Sequence, residues 1–203
     1  METRHSPAAE PFGRRNWIGE WAICNKWFPV RFVLAAANCG GQTGPMDAAL
    51  AAFREGLPER TTLGAESART RDELVMRFVR ALEGADTAAF APMMLSRAEY
   101  AWLYYPMTRH VRPPYELEAG LLWFFIVQNA EKGIGRALGE YGGVQLGYRG
   151  YRCGESRVEG KNVVWEQCVL DITVRGEPVE KRLFGTILER GDRFKFVSYA
   201  NDL

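Results

Sequence analysis

A small set of carboxylates and phenols could carry acid–base chemistry in this chain of 203 residues. Asp171, Glu166 and Glu99 could accept protons, and Tyr104 and Tyr105 could stabilise a negatively charged intermediate. A carboxylate acts as a base at neutral pH when burial raises its pKa. The environment that the fold gives each group therefore decides whether the chain can be an enzyme.

Asp171 and Glu166 lie in one predicted strand and point to opposite faces of it. Asp171 shares its face with Gln167 and Thr173, which predicts an exposed side chain. Glu166 lies on the mainly apolar face that includes Cys168, so we expect it near the mouth of a pocket or at the edge of the sheet. We retain Glu166 as a candidate for ligand contact and name no catalytic residue.

A dense group of aromatic residues, several with a polar atom, could line a pocket for an apolar ligand. Groups of this kind more often form part of a hydrophobic core, and both interpretations stay open. The ligand-pocket candidates are Tyr100, Tyr104, Tyr105 and Trp123, together with Glu166.

Several other classes of function lack their residues. His5 and His110 have no neighbours at metal-ligand spacing and there is no CxxC motif, so we predict no metal site and no cofactor. The glycines of residues 133–139 miss the dinucleotide-binding fingerprint by one position. A net charge of +1 without a dense basic run argues against nucleic acid. No apolar run approaches the ~18 residues of a membrane span.

Cys153 and Cys168 are predicted to face each other across a hairpin. They are equidistant from a tip formed by Gly160 and Lys161. Directly opposed residues in antiparallel strands have Cβ atoms about 4.5–5.5 Å apart, which a modest adjustment brings within reach of a disulfide. The alternative is a pair of buried free thiols.

Residues 1–45 differ in composition from the rest of the chain. Arg14 and Arg15 precede an apolar region that ends at Cys39, and a glycine-rich tether follows. This order resembles a bacterial lipoprotein export signal, with a lipid attached to Cys39 after cleavage, although Asn38 replaces the expected small residue. We therefore expect an extracytoplasmic protein, periplasmic or membrane-anchored. The alternative is a cytoplasmic chain with a disordered head.

Residues 46–203 are predicted to form one α+β domain that begins with helices. Capping boxes at Thr70–Glu73 and Ser96–Glu99 each predict a helix start. Pro114 is acceptable in the first turn of the longest helix, which we expect to reach Glu140. The predicted helices span residues 47–57, 70–84, 87–95, 96–105 and 114–140.

The last sixty residues read as four antiparallel strands joined by turns, each turn containing a glycine. Apolar residues alternate with polar ones along the second strand, which is typical of a strand lying on a core. Helices covering one face of a curved antiparallel sheet complete the expected fold. The predicted strands span residues 144–153, 163–174, 179–188 and 193–200.

The helices of residues 70–105, the long helix and the closing segment GDRFKFVSYAND (191–202) look like those of the nuclear transport factor 2-like superfamily. The resemblance covers about residues 68–203. It implies a cone-shaped α+β fold, with a bent sheet wrapped around helices and a pocket inside. The superfamily includes ketosteroid isomerases, dehydratases and many binding domains. Its enzymes use an Asp or a His–Asp pair inside the cone, and no residue of this chain matches those motifs by position.

Three functions remain open. The first is a non-catalytic exported domain that binds a small apolar molecule or a protein partner. The second is an isomerase or dehydratase that uses a pocket carboxylate and a tyrosine. The third is a structural domain that forms a homodimer through the outer face of the sheet, with Trp165 and Val169 at the contact.

Overall fold

The computed structural model describes residues 44–203. Cys39 and the rest of the leader-like segment up to residue 43 lie outside the described residues. The described part is an α+β structure with its helices before its strands, as predicted. The helices are α1 (Pro45–Arg54), α2 (Arg71–Glu83), α3 (Phe90–Met93), α4 (Arg97–Glu99) and α5 (Ala119–Tyr141), with shorter 3₁₀ or π turns at Thr87–Ala89, Tyr100–Tyr104, Tyr105–Met107 and Arg109–Val111.

The strands form two antiparallel sheets. One sheet has the order β1-β4-β5 and the other the order β2-β3-β6-β7. Gly160, Gly176 and Gly191 lie at the three hairpin tips with φ of 62°, 87° and 62°, a backbone conformation that glycine adopts without strain. The strands are β1 (Gly150–Arg152), β2 (Arg157–Glu159), β3 (Asn162–Trp165), β4 (Val169–Val174), β5 (Glu177–Lys181), β6 (Ile187–Arg190) and β7 (Arg193–Phe196).

The division into two sheets comes from breaks within the predicted strands. The second predicted strand, residues 163–174, is interrupted between β3 and β4, where Gln167 has φ of 54°. A residue in this left-handed region cannot continue an extended ladder. The third predicted strand, residues 179–188, is likewise split into β5 and β6, and residues 182–186 between them lie in no strand. The prediction of uninterrupted strands is therefore wrong at both points. The fourth predicted strand, residues 193–200, is also too long, because β7 ends at Phe196.

The register of the first hairpin is the same on both sides of the break. Gly150 pairs with Asp171 and Arg157 with Val164, each pair equidistant from the hairpin tip. Cys153 and Cys168 lie opposite each other in the gap between β1 and β2, with Cα atoms 3.9 Å apart, and form a disulfide. The predicted bond is confirmed. The first strand itself is displaced, because its two parts cover residues 150–159 rather than 144–153.

Helix α2 supplies the centre of the core that lies against the strands. Thr70 caps it, since its Oγ1 accepts a hydrogen bond of 3.0 Å from the Glu73 amide. Phe78 is fully buried in the middle of this helix. Its ring lies 5.3–5.9 Å from the rings of Phe90, Phe184, Phe196 and Tyr199.

The long helix starts later than the sequence indicates. Pro114 belongs to a turn in which the amides of Tyr115 and Glu116 both donate to the Arg112 carbonyl. Glu116 then has φ of 43°, and the Leu117 amide donates to the His110 carbonyl at 2.9 Å. These bonds fold the segment back before α5 begins, so the interpretation of Pro114 as a first-turn residue is wrong.

Helix α5 touches the end of the described chain through Gly133. A Cβ atom at this position would lie 1.8 Å from the carbonyl oxygen of Tyr199. The Gly133 carbonyl in turn accepts a hydrogen bond of 2.7 Å from the side-chain amide of Asn201. Backbone lies directly on backbone here, which only glycine permits.

No helix within residues 44–203 combines the length and apolar character that a membrane span requires.

A buried ion pair joins the strands to the helices. Lys195 of β7 is 1% exposed, and its Nζ lies 3.0 Å from Glu99 and 2.5 Å from Glu66. The Glu99 carboxylate also accepts hydrogen bonds from the amides of Gly64 and Ser96 at 2.6 and 2.7 Å. A buried charge of this kind is tolerated when its hydrogen bonds are satisfied. The predicted capping box at Ser96 is thus present, and its glutamate has a structural partner.

Replacing Cys153 with alanine should cost about 3 kcal/mol of unfolding free energy under oxidising conditions, because a disulfide closing a loop of about 15 residues restricts the unfolded chain by that amount. Urea unfolding with and without a thiol reductant measures the effect. Cys153→Ala should have the same unfolding midpoint as the natural protein in reductant. The control Cys39→Ala should have the midpoint of the natural protein without reductant. An unchanged midpoint for Cys153→Ala without reductant would contradict this expectation.

Candidate functional site

The three candidate tyrosines lie in the core. Tyr100, Tyr104 and Tyr105 are each no more than 5% exposed. The Tyr100 hydroxyl donates to the Ala119 carbonyl and the Tyr105 hydroxyl to the Leu117 carbonyl, both at 2.8 Å. Burial raises the pKa of all three phenols above the ordinary value. Two of the hydroxyls are therefore already engaged by the protein's own backbone.

Trp123 lies apart from Glu166. Its ring is 4.9 Å from that of Tyr100, and it lines a mostly apolar cleft of about 290 Å³ together with Leu95 and Val127. Glu166 lies instead at the break between β3 and β4. The structure thus packs the four aromatic candidates together, with the Tyr100 ring 4.9–6.1 Å from the other three, and places Glu166 in a different cleft.

Glu166 lines a polar cleft of about 300 Å³ at the place where the strands are interrupted. Four segments meet there: the 3₁₀ turn Arg109–Val111, the β3–β4 break, the irregular residues 182–186, and the residues after β7. The lining residues are Arg109, Glu166, Gln167, Arg182, Gly185, Thr186, Ser198 and Ala200.

One wall of this polar cleft is tightly packed at a glycine. The Gly185 amide donates to the Ser198 carbonyl at 3.2 Å, and a Cβ atom at Gly185 would lie 2.6 Å from Ser198 Oγ. The Val197 amide then donates to the Thr186 carbonyl at 2.8 Å. This close pairing outside the regular strands keeps Thr186 and Ser198 side by side at the cleft.

The carboxylate of Glu166 is engaged by arginines. Arg157 donates two hydrogen bonds to it, of 2.8 and 3.2 Å, and a third of 2.9 Å to Glu159. Arg109 lies 3.9 Å from the same Glu166 carboxylate. The hydrogen bonds from Arg157, with the charges of Arg157 and Arg109, lower the pKa of Glu166. Glu166 therefore remains ionised at neutral pH and is suited to an ion pair rather than to proton abstraction.

Some buried polar atoms at the cleft have no hydrogen-bond partner in the described part of the protein. One is Nε of the lining residue Arg182, and two others, His110 Nδ1 and Asn201 Oδ1, belong to residues that follow lining residues in the chain. The other end of the Arg182 guanidinium pairs with Asp202. Buried polar atoms are nearly always hydrogen-bonded in folded proteins, so an unsatisfied donor on a cleft-lining arginine points to a functional surface.

The remaining carboxylates considered from the sequence are also paired. Asp171 is bound by Arg149 on a partly exposed strand face, and Glu99 is bound by Lys195 in the interior. Within residues 44–203, no group of three or more His, Cys, Asp and Glu side chains is arranged to hold a metal ion. The polar cleft offers guanidinium, hydroxyl and amide groups, which suit the binding of an anion.

A larger groove of about 520 Å³ lies along the outer face of α2 and the connection to α3. It is mostly apolar, with Arg77 and Arg80 among its lining residues. None of the unpartnered buried polar atoms belongs to its lining, and no interrupted strand borders it. We therefore place the candidate site at the polar cleft.

Sequence reasoning missed most residues of this cleft. Ser198 falls in the alternating pattern of the last predicted strand, which could have marked its face. Arg109 and Arg182 carry no local signal, because they lie 73 positions apart and become neighbours of one cleft only through the strand breaks.

No protein-family model, curated protein or solved structure matches this chain.

The stabilising effect of Glu166 should depend on pH. Because its pKa is lowered in the folded protein, its contribution is present above the ordinary glutamate pKa of about 4.3 and is lost as the pH falls through the lower folded value. Glu166→Gln should therefore be less stable than the natural protein at pH 7, and this difference should shrink below pH ~4.

Urea unfolding between pH 3 and pH 7 measures this difference. Glu155→Gln is the matched control, because Glu155 is exposed and close in sequence. The difference in unfolding free energy between Glu155→Gln and the natural protein should change little over the same pH range. A Glu166→Gln difference that stayed constant with pH would show that the ion pair with Arg157 does not stabilise the fold.

Proposed function

We propose that this chain is a non-catalytic binding domain that takes a small organic anion in the polar cleft. The observation that supports this is the balance of charge at the cleft. Arg109 and Arg182 both line it. Its one lining carboxylate, Glu166, is held by two hydrogen bonds from Arg157 and lies 3.9 Å from Arg109. Arg182 uses one end of its guanidinium on Asp202, and its Nε has no partner in the described part of the chain. An anion entering the cleft would meet guanidinium groups that can form paired, charge-assisted hydrogen bonds.

The dimensions of the cleft favour a small ligand. Its volume of about 300 Å³ lies at the lower end of the range for small-molecule sites. Since one water occupies about 30 Å³ of liquid, the cleft has room for about ten non-hydrogen atoms. Gln167, Thr186 and Ser198 can contact the uncharged part of such a ligand. This favours a short carboxylic acid over the apolar ligand expected from the sequence.

The charge pattern weighs against the isomerase or dehydratase alternative. Such an enzyme would need a carboxylate whose pKa is raised toward neutrality, whereas the pKa of Glu166 is lowered. Glu99 and Asp171 are occupied by Lys195 and Arg149. Turnover of an isomerisable ketone that Glu166→Gln abolished would support catalysis instead.

We also propose that the two sheets are the two halves of a bent meander like that of the nuclear transport factor 2-like superfamily. Three long segments each contribute one strand to both sheets, in the chain order that the resemblance implies. Helix α2 packs its apolar side into the same core as strand residues Leu170, Ile172 and Phe196. A crystal structure with flat, separate sheets would remove this assignment.

We propose further that the protein is exported. The Cys153–Cys168 disulfide supports this, because such bonds persist mainly in oxidising compartments, and the leader-like pattern before Cys39 agrees with it. Mass spectrometry of the protein from its own host should show a chain that begins at Cys39, with the mass of an attached lipid. An unmodified chain that begins at Met1 in the cytosol would contradict export.

Succinate should stabilise the protein, and its neutral analogue succinamide should not, because only succinate offers carboxylates to the arginines. At a hundredfold excess over the dissociation constant, the gain is about 2.7 kcal/mol. For a chain of this size that corresponds to a rise in melting temperature of roughly 5–10 °C. Differential scanning fluorimetry and titration calorimetry measure the two effects.

Arg109→Gln and Arg182→Gln should each weaken succinate binding at least tenfold. Arg149→Gln is the matched control, because this arginine pairs with Asp171 away from the cleft. An equal shift with succinamide, or full binding by both cleft variants, would rule out the anion site.

A further inference from the structure

Helix α5 exposes an apolar surface that the domain itself does not cover. Leu121, Phe124 and Phe125 are 45%, 55% and 44% exposed, while Leu122 and Ile126 on the other side of the helix are buried. Half of the large hydrophobic residues exposed in the described part of the chain therefore lie on one helical face. A contiguous patch of this kind marks an interaction surface.

The second half of the same face carries glycines where the first half carries large residues. Gly135 and Gly139 are exposed, and a Cβ atom built on either would meet nothing within 4 Å. Glycine within a helix costs roughly 0.5–1 kcal/mol relative to alanine. Nothing in the described part of the chain uses the space above these two positions. They leave a strip of backbone that another helix could approach closely.

The large residues and the glycines follow a coiled-coil spacing. Residues 121, 125, 128, 132, 135 and 139 lie along this face and alternate steps of four and three along the helix. Gln128 is half-buried, and the other five are exposed. This row is symmetric about position 130. In an antiparallel pair of identical helices, Leu121 of one copy would lie opposite Gly139 of the other, and Phe125 opposite Gly135. The face is thus complementary to itself.

We propose that two copies of this chain associate through the exposed faces of α5, antiparallel and related by a two-fold axis near residue 130. Such an isologous contact uses the same surface twice. The register places the side chains of Leu121 and Phe125 over the glycines of the partner copy. It also brings Lys132 of each copy within one turn of Glu131 of the other, so that two ion pairs flank the axis.

The three exposed apolar residues supply about half of the area that a specific dimer interface buries. From Leu121 to Gly139 the helix is about 27 Å long. A fully buried aromatic residue contributes about 150–250 Å², so the half-exposed Phe124 and Phe125 with Leu121 supply roughly 250–300 Å² per copy. Two copies therefore bury roughly 500–600 Å² through these residues, and the rest of the ~1,000 Å² of a specific interface has to come from the neighbouring side chains along the two helices.

The outer sheet face is less available for self-association. Trp165, which the sequence placed at a dimer contact with Val169, lies beneath the guanidinium of Arg71, 3.6 Å from its ring centre. Its indole N–H donates to Glu189 at 2.9 Å. Both the face and the polar atom of this tryptophan are therefore already in use, whereas α5 keeps its apolar residues open.

Analytical ultracentrifugation of the full chain tests the proposal. The natural protein should show a concentration-dependent equilibrium between monomer and dimer masses. Phe125→Glu should raise the dissociation constant at least tenfold, because a charge would lie over the backbone of the partner copy. Val158→Glu is the matched control, since Val158 is 71% exposed but lies on β2, and it should leave the dimer intact.

Two further variants test the geometry. Gly135→Leu should also weaken the dimer at least tenfold, because it fills the space required by Phe125, while the far-ultraviolet circular dichroism of the monomer stays unchanged. In a chain with Cys24→Ser and Cys39→Ser, the double change Leu121→Cys and Gly139→Cys should give covalent dimers on oxidation, and Leu121→Cys alone should not.

Several results would overturn the proposal. One is a monomer at every concentration, including a monomer whose α5 face binds lipid vesicles or another protein. Another is a dimer that Phe125→Glu leaves intact. Covalent dimers formed as readily by Leu121→Cys alone would mean a parallel or differently registered pairing.

Discussion

The interruption at residues 166–168 is the constraint from which most of this architecture follows. The chain leaves one sheet at Trp165 and enters the other at Val169, and Gln167 makes the change of direction with a left-handed backbone. A left-handed residue other than glycine is unfavourable unless its surroundings fix it. The disulfide at Cys168 provides such a constraint, because it fixes this segment to the strand beside it. The polar cleft exists because the strands separate at this position.

Charged side chains form ion pairs both in the interior of the protein and at the strand break. In the interior, Lys195 is neutralised by Glu99 and Glu66 and supports the docking of β7 onto the helices. At the break, Arg157 bridges Glu166 and Glu159, and Arg109 lies 3.9 Å from the Glu166 carboxylate. This pairing lowers the pKa of Glu166, which makes its carboxylate a poor proton acceptor. This is the physical reason to favour recognition over catalysis.

Local sequence patterns predicted the features that depend on neighbouring residues. The glycine turns, the caps at Thr70 and Ser96, and the cysteine pair all follow from spacing within one element or one hairpin. The breaks could not be predicted in this way, since nothing about Gln167 alone indicates a left-handed conformation. The turn around Pro114 was missed for the same reason, because its hydrogen bond from Leu117 to His110 lies outside any repeating pattern. The cleft residues come from four segments, and only the assembled fold relates them.

Three glycines of α5, at positions 133, 135 and 139, meet two different structural requirements within seven residues of sequence. Gly133 bears directly on the Tyr199 carbonyl, so any larger residue would push the helix off the chain beneath it. Related sequences that keep this fold would retain it whatever their state of assembly. Gly135 and Gly139 have no such internal requirement. If two copies associate as proposed, relatives that remain monomeric would be free to carry alanine or polar residues at these two positions while keeping Gly133.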